Sequence, residues 1–242
     1  VLVAAFSAVL LTDTERLFSV LNMSSERASD ASPDLTARAR IRDAAITRFA
    51  ADGVSAASVR AIASDAGVSP ALVIHHFGSK DALRVACDQH VAATIRDTKR
   101  GAVAAGRSLD PVAALRASQH GAPLLRYLAR TLVDTSPHVA ELVDELVEDA
   151  VEYMEEGVAT GLLEPSDDPR GRAVVLTVWT LGALVLHEHV VRIRGVDLTG
   201  DPAEFGPWAV PAAEILAKGV INEDLYDRIR DGYRPPDGKE DR

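Results

Sequence analysis

Cysteine is almost absent from this 242-residue chain, in which Cys87 stands alone. One thiol excludes an internal disulfide framework and any Cys-x-x-Cys zinc site. It suits a reducing cytoplasm, with Cys87 a small buried hydrophobe. Also missing are the nucleotide fingerprints GxGxxG and the P-loop, the nucleophile elbow GxSxG, and any repeat of solenoid period. Long hydrophobic runs are scarce. Val1 to Leu11 is apolar but too short to span a bilayer, and it lacks both a basic flank and a small-residue cleavage site. The chain opens on Val, and Met23 begins a polar stretch, so translation is expected to start at Met23 and residues 1–22 to carry no fold information. Ser24 to Asp34 is rich in Ser, Asp and Ala, making residues 1–35 an expected disordered leader.

Positive charge is in deficit as well, at a net −10, which at first sight argues against nucleic acid. The deficit is uneven. Residues 36–101 hold 10 Lys/Arg against 6 Asp/Glu, leaving 16 against 30 elsewhere. A mildly basic module is therefore joined to an acidic body.

What is present is helical period, and the expected fold class is all-α. Ile41, Ala45 and Phe49 recur at i, i+4, i+8, and Gly53 supplies a stop, predicting a helix from Ala37 to Asp52. Ser58 can cap a short second helix with Val59, Ile62, Ala63 and Ala66 inward, ended by Gly67. Ser69 then caps a third, with Pro70 at the first helical position, where a missing N–H costs nothing. Helix, glycine turn, helix is helix-turn-helix spacing. A fourth helix is expected from Ser79 to about Arg100, then a Gly/Ser break and further helices: Pro137 to Thr160 with a solvated acidic face, the apolar run Ala173 to Leu186 buried nearly all round, Pro202 to Lys218, and Asn222 to Asp231. The expected division is 36–83 for a helix-turn-helix domain, 84–231 for a helical body and 232–242 for a flexible tail.

Within the third helix two histidines stand side by side. Helical neighbours point about 100° apart, so His75 and His76 cannot share one metal ion or one substrate atom, and no carboxylate stands three or four residues from either. No metal, cofactor or catalytic residue is assigned. Val73 and Phe77, at i and i+4, would dock on Ile62 and Ala66, which turns Pro70, Ala71, Leu72, Ile74 and His75 outward. A short, uncharged, mostly apolar face suits a DNA major groove, where Leu72 or Ala71 can meet a thymine methyl and His75 a base edge. Backbone contacts should surround it. Ser58 and Ser69 offer hydroxyls at helix N-termini. Lys80 sits at the wrong end of its helix for the dipole, which favours a phosphate partner. Arg60 can reach a guanine edge or simply be solvated, and Arg38, Arg40 and Arg42 lie within reach of backbone or minor groove. His76 joins this DNA-binding set.

Residues 41–83 resemble the DNA-binding domain of TetR-family transcriptional regulators. The pattern appears as Ser58, Ile62-Ala63, Ala66-Gly67-Val68-Ser69, His76-Phe77 and Ser79-Lys80-Asp81-Ala82-Leu83. The resemblance implies an all-helical homodimer whose third helix reads double-stranded DNA and whose C-terminal body binds a small effector. Two positions depart from the pattern: Ala71 replaces a frequent Gly, and Ile74 replaces a Tyr that contacts phosphate.

For the body, Tyr127, Leu128, Thr131, Leu132, Val147, Val151, Met154, Thr180 and Ala183 are effector-site candidates by position, and Trp179, Leu186 and Val190 are dimer-interface candidates. His187 and His189 face different ways and read as surface or interface. A membrane span is disfavoured because Arg172 and His187 bracket too short a run. The expected function is a cytoplasmic, ligand-responsive repressor that binds a palindromic operator and is released by an apolar or aromatic effector. Two other classes stay open: a helical carrier or enzyme whose N-terminal helices only pack, and an architectural DNA-binding protein with no effector.

Overall fold

A computed structural model of the chain describes residues 33–110, 121–134 and 136–233. The expectations for residues 1–32 and 234–242 lie outside these. All regular structure among the described residues is helical. In chain order the α-helices are α1 (Pro33–Asp52), α2 (Val59–Asp65), α3 (Pro70–Phe77), α4 (Lys80–Ala105), α5 (Ala122–Thr131), α6 (Pro137–Ala159), α7 (Pro169–Val185), α8 (His187–Arg194), α9 (Gly206–Lys218) and α10 (Glu223–Tyr233). Short 3-10 turns occupy Gly106–Ser108 and Pro202–Glu204.

The caps read from the sequence at Ser58 and Ser69 are in place, and Ser79 adds a third at the start of α4. Ser58, Ser69 and Ser79 each sit in extended backbone and accept, through the side-chain oxygen, the N–H of Ala61, Leu72 and Ala82 at 3.1, 3.2 and 3.0 Å. Gly67, at φ +66°, ends α2 in a Schellman turn, with Gly67 N donating to Ser64 O and Val68 N to Ala63 O. That turn sends the chain back so that Val73 and Phe77 of α3 bury beside Ile62 and Ala66 of α2. Arg48 of α1 clamps Asp65 of α2 through two bonds of 2.8 and 2.7 Å, fixing the first pair.

Several boundaries differ from expectation. The first helix starts at Pro33, inside the expected leader. The fourth runs past Gly101 to Ala105, ending where Gly106 takes φ +53°. Gly101 looks onto open space, where lacking a side chain costs little packing. α4 also runs straight through the expected domain boundary at residue 83. One apolar core continues across it, joining Ile41, Phe49, Ile62 and Phe77 to Leu83, Cys87, Val91, Leu125 and Leu128. A second cluster, of Val103, Ala150, Tyr153, Met154 and Ala173, fills the far end of the body.

The apolar run of α7 is not buried all round. Ala173, Thr177, Leu181 and Leu184 face inward, whereas Val174, Val175, Val178, Val185 and Leu186 are exposed. Val190, expected at an interface, is instead buried in the chain's own core; Leu186 is exposed and Trp179 half-buried. Among the described residues no single helix is long and apolar enough to cross a membrane; α7 and α8 would be only if taken together, and they meet at a 73° bend.

Candidate nucleic-acid interface and effector cavity

The outward side of α3 follows from what its inward side holds. Val73 is 1 % and Phe77 9 % exposed, which leaves Pro70, Ala71, Ile74 and His75 open to solvent and Leu72 half-buried at the edge. Ile74, at 44 % exposed, is a large apolar side chain in water. His76 is half-buried at the edge of that face, like Leu72: its ring lies edge-on between His75 and Phe77, with centroids 5.6 and 6.3 Å away, and Nε2 is out of contact with solvent.

Around this face the arginines sort into tied and untied. Arg42 is held by Asp43 at 2.7 Å and Arg48 by Asp65 and Asp52. Arg38 stacks 5.0 Å over the Phe77 ring, joining α1 to α3. Arg40 and Arg60 are exposed. The serine caps use their oxygens as acceptors, and each hydroxyl keeps a proton to donate.

Lys80 is also held from within the chain. Its Nζ donates to the carbonyl oxygens of Val54, Ala57 and Ser55 at 2.9, 3.1 and 3.4 Å. The ammonium is a strap across the α1–α2 loop, because the turn after Gly53 brings three free carbonyls over the start of α4. Proximity of those carbonyls is tertiary, and nothing near Lys80 in sequence signals it.

In the body the expected effector residues scatter. Tyr127, Leu128 and Thr131 lie on α5 in the core beneath α1, where the Tyr127 hydroxyl donates to Asp88 at 2.5 Å. Burial pushes the Asp88 carboxyl above its ordinary range, opposed by that hydrogen bond and by Arg84. Arg84, itself buried, reaches Asp134 at 2.9 Å, so a polar relay sits at the junction of head and body. Of the expected residues only Thr180 lines the cavity between α4, α6 and α7, together with Ile95, Lys99, Leu146, Asp149, Tyr153, Thr177 and Leu181. This cavity is tight, about 30 Å³. Met154 lines a second, of about 390 Å³, beside Leu162, Leu163, Arg172, Leu176 and Leu216. Val147 and Val151 line neither.

Lys99 is the member the sequence reading missed. It is 3 % exposed, its Nζ lies 6.0 Å from the Tyr153 ring centre, and burial holds its ammonium well below the ordinary lysine range. The signal was available, since Ile95, Lys99 and Ala102 share one helical stripe whose other members are apolar. Asp149 is held at the rim by Arg96 at 3.3 Å.

Comparison with known proteins adds to this geometry. Residues 41–87 match a family model described as bacterial regulatory proteins, tetR family, and residues 119–221 one described as tetracyclin repressor-like, C-terminal domain. The HTH-type transcriptional regulatory protein RaaS of Mycobacterium tuberculosis is 39 % identical over 196 residues, covering 78 % of this chain and 89 % of that protein. Among solved structures, a transcriptional regulator of Pseudomonas aeruginosa PAO1 superposes with a TM-score of 0.55 at 21 % identity, over 85 % of this chain and 97 % of the other. A fatty acid metabolism regulator of Clostridium perfringens gives 0.52 at 15 % identity, over 76 % and 100 %. At these identities the structural agreement is one of fold.

Proposed function

This chain belongs to the TetR family of DNA-binding transcriptional regulators, and from that premise we propose a homodimeric repressor that reads a palindromic operator through α3 and lets go when a small molecule enters its body. The observation that carries the reading is the α3 face. A helix that spends Val73 and Phe77 on its own core and shows water Ala71, Ile74 and His75 is poorly designed for solvent and well suited to a major groove.

The roles divide by chemistry. Ala71, Leu72 and Ile74 offer apolar contact to thymine methyls, and His75 a hydrogen bond to a base edge. Ser58, Ser69 and the Pro70 turn place helix N-termini and hydroxyls on phosphates, with Arg40 and Arg60 supplying charge. Ile74 cannot make the phosphate bond of the family's tyrosine, so Arg40 and the two serines carry the backbone contacts. Lys80 and His76 act one layer behind, holding the head in shape.

Effector response follows from α4. That helix begins under the head, strapped by Lys80, and passes Lys99 in the cavity nineteen residues on, about 28 Å along the axis at 1.5 Å per residue. An apolar or aromatic effector that widens the tight cavity moves α4 against α6 and α7, and with it the head. Two heads must sit about 34–36 Å apart for successive major grooves, so a ligand that favours another spacing lowers DNA affinity by its own preference for that state.

A gel shift with duplexes selected from a random pool tests this. A palindromic site retarded in a salt-sensitive manner is expected, with His75→Ala weakening that site by about 1–3 kcal/mol and leaving random duplex unaffected. Arg40→Ala should weaken both alike and lower the salt slope by about 1. Equal affinity for every duplex would leave an architectural protein instead, and no binding at all would remove DNA from the account.

A further inference from the structure

Arginine is this chain's ordinary cation: of its 26 basic residues only Lys80, Lys99, Lys218 and Lys239 are lysines. On α4 the contrast is direct. Arg96 and Arg100, one turn apart, grip the acidic side of α6, Arg96 through Asp149 and Glu145 at 3.3 and 3.6 Å and Arg100 through Glu152 and Glu156 at 2.5 and 3.6 Å. Lys99, between them in the chain, is 3 % exposed and lines the cavity instead.

The surroundings of that amine are dry and nearly free of charge. Ile95, Leu146 and Leu181 supply apolar wall. Among the described residues, the titratable groups that line the cavity with it come from α6 alone: Asp149, whose charge Arg96 already answers, and Tyr153, whose hydroxyl burial keeps protonated. From α7 come Leu181 and two threonines, of which Thr180 spends its proton on Leu176 O at 2.8 Å. A guanidinium could not give up its proton in such a place, whereas an amine can. Burial holds the Lys99 ammonium well below the ordinary lysine range, so the site avoids an uncompensated buried charge until an anion enters. The space beside it, about 30 Å³, takes about two water-sized groups. That is the size of the two oxygens of a carboxylate, and too little for the body of a ligand.

We propose that Lys99 makes this cavity a site for organic acids: the effector carries a carboxylate on an apolar or aromatic body and sets it against the Lys99 amine. This rests on the effector reading given above and names its chemical class. As the anion enters, the amine takes a proton from solvent and becomes the ammonium that pairs with it, and no bond of the ligand forms or breaks. The body of the acid, too large for the space, parts α4 from α6 and α7. Asp149 does not make this a site for amines, because its charge is met by Arg96.

Isothermal titration of the full chain with benzoate, 2-naphthoate and octanoate, each against its own primary amide, tests the class. At least one acid is expected to bind tenfold or more tighter than its amide, with proton uptake when the titration is repeated in buffers of different ionisation enthalpy. Lys99→Met should bring that acid down to the affinity of its amide at unchanged helicity. The wild-type preference and the proton uptake decide the matter even where that variant fails to fold. Acids that bind no better than their amides, acids that do not bind, or a folded Lys99→Met that holds the acid like wild type would each overturn the inference. Release of the operator is read separately by gel shift. Amides that release it as well as the acids do would leave the effector reading standing without the acid class, and an acid bound through Lys99 that leaves the operator occupied would keep the site and overturn the effector reading.

Discussion

A lysine at the start of a helix faces the unfavourable end of the dipole, and the chain resolves this at Lys80 with main-chain carbonyls. Lys80→Met leaves the carbonyls of Val54 and Ala57 without that donor and should lower stability by about 1–3 kcal/mol. A urea melt measures this; DNA affinity per folded molecule should hardly change, whereas a phosphate-binding lysine would lose affinity and salt slope without loss of stability. His90 provides a pH signature. Burial, helped by the nearby Arg42, holds its imidazolium below the ordinary value of 6.5. The unfolded chain takes up a proton near 6.5 and the folded chain only at lower pH, so stability present above 6.5 is lost as pH falls through that window. His90→Gln should flatten the acid limb of a stability–pH curve, and an unchanged limb would assign the loss to other groups. At this scale the sequence told which residues were unusual, Lys80 and the histidine pair, but not what each would touch. Carbonyls gathered by a distant loop leave no mark on neighbouring letters.

Elements were the most legible level, because caps and stops are local chemistry. Ser58 and Ser69 cap as their spacing predicts, and Gly67 turns the chain between α2 and α3 of the head. At Gly67 an added Cβ would meet nothing within 4 Å, so Gly67→Ala isolates the backbone cost of a left-handed conformation, about 1–2 kcal/mol. Thermal unfolding should show that loss, and a much larger one would mean the turn had been forced to open. Gly157→Ala has a different cause, since there the new carbon would sit 2.8 Å from the Leu163 side chain. Helix ends were read less well where a stop signal was ambiguous. Gly101 lies within α4 because a lone glycine on an exposed face only weakens a helix. Gly106 ends it because its φ is positive.

For the whole molecule, the stripe of Val174, Val175, Val178 and Val185 is the apolar surface of α7 that the described residues leave exposed. Val178→Asp, placing a charge in the middle of that stripe, should give a folded monomer by sedimentation and abolish retardation of the palindromic site, since one head makes half the contacts. A variant still dimeric and still bound would put the interface elsewhere. The same run had read as buried on every side, which its composition allows. Only folding shows that one face meets the core and the other is left over.

Alone, the sequence determined the helical class of the described residues, the capping of α2 and α3, and the outward turn of the Ala71/Ile74/His75 face, because each depends on contacts a few residues apart. The tertiary structure decided the rest. It made Lys80 a strap, half-buried His76, buried Val190, opened cavities beside Lys99 and Met154 and none lined by Tyr127 among those described, and left the valines of α7 exposed. Each of these depends on which distant backbone or side chain fills the space alongside, and helical period reports that a face is apolar without saying what will cover it.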